Sequence, residues 1–182
     1  SKLMSETVLK DASDAYKNFK YIALRYFNVA GADRDNRIGP SFTDATHLIK
    51  VAAQTVVGKR DKITIFGTDY PTLDGTCIRD YIHVDDLADA HLKSLEYLKT
   101  NDSNIFNCGY GHGYSVKQVI NAMKKVSNVD FKVEIGEKRL GDPAQLVSDN
   151  TKIKEKMNWQ PKYNDIELIC KTALEWEKNN RY

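Results

Sequence analysis

The sequence predicts an α/β fold with at least some parallel strand pairing. The run KYIALRYFNVAG, at 20–31, is almost continuously apolar, which is typical of a strand covered on both faces. Short apolar segments then alternate with helical patterns through the rest of the chain. Ligands of such sheets bind beyond the carboxyl ends of the strands, so this rule indicates 26–28, 66–67 and 107–109.

The first segment, which opens SKLMSETVLK, carries apolar side chains three and four residues apart from Met4 to Phe19. That spacing predicts a half-buried amphipathic helix. Its beginning is unusual, because Met4 stands where a capping box has an acidic residue or its amide. Ser1 as a plain N-cap is the alternative.

The remaining elements follow from periodicity and capping residues. Helix 116–126 is expected to be capped by Ser115, and Gly58 is expected to follow the helix at 45–57. Asp85 and Asp86 suit the cap and first turn of the helix at 85–99. The other predicted helices are 151–157 and 165–178, and the predicted strands are 62–66, 81–84, 104–109 and 131–135.

Composition limits the function classes. The 182 residues suit one domain, or one and part of another, with 41% hydrophobic and 29% charged residues. We expect no membrane partner and a cytoplasmic location, because no apolar run approaches about 20 residues and the start lacks a signal-peptide pattern. A net charge of +2 with scattered lysines argues against nucleic-acid binding. Cys77, Cys108 and Cys170 lack a Cys-x-x-Cys pair, so we expect reduced, structural thiols.

Two common motifs fail on spacing. GYGHG, at 109–113, follows a strand and precedes a helix, but it is not the G-x-G-x-x-G of a dinucleotide turn. We therefore predict a tight loop that needs positive φ values. The four histidines show no metal-ligand spacing, so no metal site is predicted.

Two arginines in glycine-containing loops are more informative. Arg79 precedes Asp80 directly, and Arg139 stands three residues before Asp142. An arginine in such a loop can donate to phosphate, and its acid can accept from sugar hydroxyls. Spacing alone leaves a second interpretation equally open, in which each pair is an ion pair that holds its loop.

Longer segments resemble the nucleotide-sugar branch of the extended short-chain dehydrogenase/reductase family. The resemblance runs from Ser1 to the C-terminus and is carried by LRYFNVAGA, THLI, FNCGYGHGYSV, RLGDPAQLVSDN and DYPTLDGTCIRDYIHVDDLADAH. The last segment is most similar to the UDP-hexose 4-epimerases of this family. Sister dehydratases share its Arg-Asp-(Tyr/Phe)-Ile-His-Val core but usually lack the Asp-Gly-Thr before it.

The resemblance implies a reaction and a fold. Hydride leaves C4 of a UDP-hexose for bound NAD while a tyrosine removes the 4-hydroxyl proton, and the hydride returns to the opposite face of the 4-keto sugar. A Rossmann-type NAD-binding domain and a smaller α/β substrate domain are implied. Residues 1–40 and 84–110 would belong to the C-terminal part of the first domain, and residues 41–83 and 111–182 to the second.

Matching positions imply the site residues. Phe27 is similar to a residue beside the nicotinamide, and Asn28 to one that reaches the diphosphate. His47 and Leu48 match a helix start near the substrate, although the family often has Asn in place of His47. The remaining implied substrate contacts are Thr64, Ile65 and Phe66 for uracil, with Phe66 stacking, Arg79 and Arg139 for diphosphate, and Asp142 for ribose. Leu146 replaces a bulkier Tyr, which implies room for an N-acetyl group.

Lys2 aligns with the lysine of the family's Tyr-x-x-x-Lys pair, which binds the nicotinamide ribose and lowers the pKa of the tyrosine. The tyrosine position, four residues earlier, is not in this chain. We therefore expect a C-terminal portion that is inactive alone, within an enzyme that is a homodimer when whole. A UDP-sugar-binding module without catalysis, or a sister nucleotide-sugar epimerase or dehydratase, are the alternatives.

Overall fold

A computed structural model describes residues 1–42 and 44–179, and it confirms the α/β class. The helices are α1 (Lys2–Ala15), α2 (Leu48–Val56), α3 (Val84–Leu98), α4 (Val116–Ser127), α5 (Thr151–Met157) and α6 (Ile166–Asn179). The strands are β1 (Ile22–Tyr26), β2 (Asn28–Ala30), β3 (Ile63–Phe66), β4 (Ile78–Arg79), β5 (Tyr81–His83), β6 (Asn104–Cys108), β7 (Tyr114–Ser115), β8 (Val133–Gly136) and β9 (Gln145–Leu146).

Parallel pairing dominates the described strands, as the sequence predicts. β1 pairs with β6 from Ile22 opposite Asn104 to Tyr26 opposite Cys108. β2 pairs with β5, and β3 pairs with β8, both in parallel. β4 lies between β7, which is antiparallel to it, and β9, which is parallel. Residues of β2 and β3, although the two strands belong to separate sheets, line one cleft.

The apolar run at 20–31 forms two strands, whereas a single strand was predicted. The chain changes partner at Phe27, since β1 pairs with β6 and the Asn28 N–H then donates to the Asp80 carbonyl at 3.2 Å. The expectation that both faces are covered was also wrong, because Tyr26 is half-exposed. An apolar run alone does not show where a strand changes neighbours.

Helix α1 is shorter and more exposed than the periodicity predicted. It ends at Ala15, since Tyr16 is extended with φ −117° and ψ 103°, and Phe19 lies beyond it. None of its residues is buried, and Met4 and Val8 are 71% and 65% exposed. The apolar stripe predicted to be half-buried is therefore an exposed surface of the described chain.

The helix starts confirm one predicted cap and correct another. Ser115 and Gln118 form a reciprocal capping box at α4. At α3 the capping residue is His83, whose Nδ1 accepts from the Asp85 N–H at 3.1 Å, so capping by Asp85 or Asp86 was wrong. The Asp86 carboxylate is buried and accepts from Tyr110 Oη at 2.6 Å.

The core lies where α2, α4 and α6 pack against one another and under the parallel strands. Its largest buried side chains include Trp159, Phe106 and Ile169.

The three cysteines are buried and free, and burial raises the pKa of the Cys108 and Cys170 thiols to about 12. Across residues 1–42 and 44–179, no helix has the length and apolar character needed to cross a membrane.

Candidate functional site

A cleft of about 970 Å³ collects most of the predicted substrate residues. It is bordered by the end of β2, the start of α2, strand β3 and the loop at 137–142. The predicted residues that line it are Asn28, His47, Leu48, Thr64, Phe66, Arg79, Arg139 and Asp142. The predicted residues outside its lining are Lys2, Phe27, Ile65 and Leu146.

The aromatic ring of Phe66 forms part of the cleft surface. Thr64 and Phe66 line the cleft, while Ile65 points into the core because side chains alternate along β3. The Arg139 guanidinium lies over the Phe66 ring, 3.8 Å from its centroid. A planar base could stack in this position, either on the ring or on the guanidinium.

Arg79 is held in place by backbone carbonyl groups. Its Nη1 donates to the carbonyl oxygens of Ile78 and Pro143 at 2.9 and 2.8 Å. Its Nη2 lies 3.8 Å from Asp142 Oδ1. The acid beside Arg79 is therefore Asp142 from the other loop, which corrects both pairings considered from the sequence. Arg79, Arg139 and Asp142 thus share the cleft.

Asp80 is a structural residue, so the first of the two interpretations that spacing left open, in which it accepts from a sugar hydroxyl, was wrong. The carboxylate is buried and accepts from the N–H groups of Tyr110 at 3.0 Å and Gly111 at 3.2 Å. Ser148 donates to it through N–H and Oγ, at 3.2 and 2.6 Å. A Cβ at Gly109 would approach Asp80 Oδ2 to 2.6 Å, so glycine is required there.

These contacts also explain GYGHG. Its N–H groups at Tyr110 and Gly111 donate to the Asp80 carboxylate, so they are not free to bind a phosphate. Gly111 has φ +79°, which confirms the predicted tight loop with a positive φ. This loop follows β6 and lies outside the lining of the cleft.

The two residues predicted to contact the cofactor, Lys2 and Phe27, lie outside the lining of the cleft, in α1 and directly after β1. Glu6 accepts from Arg25 Nε at 2.7 Å, which ties α1 to the end of β1 beside Phe27. Lys2, one turn earlier on α1, is exposed and has no ion pair within 1–42 and 44–179. Among those residues we find no free glycine-rich turn for the pyrophosphate.

The other two predicted residues, His47 and Leu146, are exposed at or beside the cleft. His47 precedes α2 without making a side-chain cap, is exposed in the cleft, and has its ring 6.0 Å from that of Phe42. Leu146 pairs in register with Arg79, and its side chain is half-exposed beside the cleft.

Sequence reasoning missed the wall formed by 38–42 and the buried lysine beneath it. Ile38, Gly39, Pro40 and Phe42 line the cleft, as does Lys50 of α2. A lysine within the apolar helix segment HLIKVAAQ was the available signal, because buried lysines are rare unless paired. No group of three or more potential metal-ligating side chains occurs in the described part of the chain.

Comparison with known proteins identifies the family. A family model described as the NAD dependent epimerase/dehydratase family matches residues 1–109, more than half of the chain. The chain belongs to the NAD dependent epimerase/dehydratase family. The matched segment includes Lys2 and most of the residues that line the cleft, among them Asn28 and Arg79.

Relatives in this epimerase/dehydratase family are similar along nearly the whole chain. A UDP-glucose 4-epimerase of Azospirillum brasilense is 48% identical over 98% of this chain and 51% of its own length. The structure of a UDP-Glc/GlcNAc 4-epimerase from Campylobacter jejuni is 64% identical, with a TM-score of 0.83 over 97% of this chain and 54% of its own.

A UDP-glucose 4-epimerase from Bifidobacterium longum, solved in complex with NAD+ and UDP, is 32% identical. Its TM-score is 0.90 over 98% of this chain and 53% of its own. The chain therefore spans about half the length of the relatives it matches.

Proposed function

We propose that the protein carrying this chain is a UDP-glucose 4-epimerase, which interconverts UDP-glucose and UDP-galactose with bound NAD. The observation that carries the proposal is one cleft that combines Phe66, Arg79, Arg139 and Asp142. An aromatic face, two guanidinium groups and a carboxylate match the base, the diphosphate and the ribose of UDP. Similarity to an epimerase solved with NAD+ and UDP supports it.

The proposed placement of UDP follows the cleft from end to end. Uracil stacks on Phe66 against the backbone of Thr64 and Ile65. Arg79 and Arg139 donate to the diphosphate, and Asp142 accepts from the ribose. The remaining proposed substrate contacts are Asn28, His47 and Leu48.

The proposed domains follow from which strands pair. β1 and β6 join residues 1–40 to 84–110, the part that we assign to the NAD-binding domain. The β3–β8 pair and the sheet of β4, β7 and β9 lie within 41–83 and 111–182, the proposed substrate domain. The β2–β5 pair connects the two.

In the proposed chemistry, some groups hold the cofactor and the nucleotide, and others react with the sugar. NAD, when bound, supplies hydride exchange at C4 of the sugar. Lys2 and Phe27 hold its nicotinamide riboside end, and the charge of Lys2 stabilises the ionised form of a general base four residues earlier in the family pattern. Binding energy from the unreactive UDP fixes the nucleotide, so the sugar can present either face.

The 182 residues contain no residue at the position of that base. We therefore propose that the chain by itself binds UDP but does not epimerise it. The exposed apolar stripe of α1 supports a homodimer of the whole enzyme. The cytoplasmic location stays a prediction.

N-acetylated substrates form a second part of the proposal. Leu146, half-exposed beside Arg79, is smaller than tyrosine and leaves room for an acetamido group. The similar Campylobacter jejuni protein is described as a UDP-Glc/GlcNAc 4-epimerase. We expect turnover of UDP-N-acetylglucosamine by the complete protein and selective loss of it in Leu146→Tyr, while UDP-glucose turnover is retained. No turnover of the N-acetylated substrate in the wild type would contradict this part.

Calorimetric titration of the 182-residue chain with UDP tests the proposed cleft. Saturable binding of UDP and much weaker binding of ADP are expected, and binding lost in Arg79→Met would place UDP at this site. Absence of binding would contradict the placement. Product analysis with the complete protein then separates the epimerase from a sister enzyme and from a binding module without catalysis.

A further inference from the structure

A single backbone carbonyl anchors the wall of the cleft formed by 38–42. The Pro40 carbonyl accepts from Lys50 Nζ at 2.8 Å and from Trp176 Nε1 at 3.0 Å. Gly39 packs on the Trp176 indole, where a Cβ would come within 2.5 Å of the ring. The wall is thus fixed to both α2 and α6.

Lys50 is buried, so its position is tightly determined. Lys50 and Glu177 are only 6% and 4% exposed, and Lys50 Nζ lies 3.1 Å from Glu177 Oε2. The same ammonium lies 5.0 Å from the centroid of Phe42, another residue of the wall. A buried ammonium requires such partners, because removal from water penalises its charge.

Glu177 has a second cationic partner that does not contact the wall. Lys59 Nζ lies 2.8 Å from Glu177 Oε1, is partly exposed, and is not among the residues that line the cleft. The carboxylate therefore keeps one ion pair when either lysine is removed. Loss of Lys59 removes an ion pair with Glu177 only, whereas loss of Lys50 removes an ion pair with Glu177 and also the hydrogen bond to the wall. Comparing the two losses therefore distinguishes support of the wall from the stabilising effect of an ion pair.

We propose that Lys50 is a positioning residue for the substrate cleft: held by Glu177, it fixes the Pro40 carbonyl and so sets the wall at 38–42. The proposal rests on the proposed function in that the ligand is a UDP-sugar. Lys50 lines the cleft, but its Nζ is already bonded to the Pro40 carbonyl and to Glu177, so its loss would act on ligand contacts through displacement of the wall.

The test compares Lys50→Met with Lys59→Met. With 5-fluorotryptophan incorporated, ¹⁹F NMR gives separate signals for Trp176, which shares the Pro40 carbonyl, and for buried Trp159, which serves as the internal reference. In Lys50→Met we expect the Trp176 signal to shift and UDP to bind roughly tenfold more weakly, because the wall would then have to be ordered when UDP binds. Lys59→Met should change neither.

Lys50→Arg retains a cationic donor and should restore both readouts in part, which also covers failure of Lys50→Met to fold. An unchanged Trp176 signal in a folded Lys50 variant would overturn the proposal. So would a shifted signal with wild-type UDP affinity, or equal weakening by Lys59→Met. Failure of the wild type to bind UDP would contradict the proposed function, while the Trp176 signal would still decide whether Lys50 positions the wall.

Discussion

The guanidinium of Arg139 lies 3.8 Å from the centroid of the Phe66 ring, over a face that lines the cleft. The proposed function gives these two side chains different partners, uracil for Phe66 and diphosphate for Arg139. Arg139 must therefore leave the ring, or hold the base against it, when UDP binds. Either change alters the environment of both side chains.

Loss of Arg139 should weaken UDP binding. Arg139→Met removes a charged donor, so we expect about 10- to 100-fold lower affinity by calorimetry. Lys138→Met is the matched control. Lys138 is the neighbouring cation in the same loop, but it pairs with Asp69 at 3.5 Å and lies over the Tyr70 ring. Equal losses in the two variants would contradict a specific role for Arg139.

Asp80 should matter for stability, whereas Asp142 should matter for binding. The Asp80 carboxylate accepts four hydrogen bonds. In Asp80→Asn the amide NH2 group would face some of these donors, so we expect the free energy of unfolding, measured in urea, to fall by about 3 kcal/mol. Asp142 is partly exposed, with Arg79 3.8 Å away. Asp142→Asn should leave the urea midpoint nearly unchanged and weaken UDP binding; the reverse pattern would refute both assignments.

His83 should make the fold less stable at mildly acidic pH. Burial lowers the pKa of the His83 imidazole, and the nearby Asp85 and Asp86 carboxylates only partly oppose this effect. As pH falls below about 6.5 the unfolded chain takes up a proton that the folded chain resists, so the free energy of unfolding decreases.

Urea unfolding from pH 8 to pH 5.5 measures this change. His83→Gln should lower stability at pH 8 but flatten its dependence on pH. His112→Gln, which changes an exposed imidazole, should preserve the wild-type slope. A His83→Gln slope equal to that of the wild type would contradict the assignment.

The exposed stripe on α1 should control assembly. Val8 is 65% exposed on this helix, so Val8→Asp should shift the complete protein towards monomer in sedimentation velocity, because a charge would be buried in the contact. Leu73→Asp, at a fully exposed loop residue, should have no effect. Dimers of unchanged stability in Val8→Asp would place the contact elsewhere.

Local patterns predicted the elements well where capping and periodicity agree. Ser115 closes α4 with a capping box, and 151–157 forms a helix over the predicted range. The sequence did not predict the change of partner at Phe27 or the exposure of α1, because both depend on which other segments lie alongside. Such neighbours are tertiary information, which hydrophobic periodicity does not contain.

The sequence predicted which residues belong to the site better than it predicted which of them contact one another. Arg79, Arg139 and Asp142 do share a cleft, but Asp142 pairs with Arg79, and the Asp80 carboxylate accepts from backbone N–H groups and from the Ser148 hydroxyl. Spacing along the chain cannot distinguish these pairings, since the loops meet only in the fold. Lys50 was missed for the same reason, because its partner Glu177 lies on another helix.

The most direct test of the proposed function is NMR observation of UDP-galactose incubated with the complete protein and NAD. The account predicts conversion to an equilibrium mixture with UDP-glucose, and strong loss of that conversion in Arg79→Met, whose guanidinium lies in the cleft. A folded, NAD-loaded wild type that leaves UDP-galactose unchanged, or an Arg79→Met variant with full activity, would contradict it.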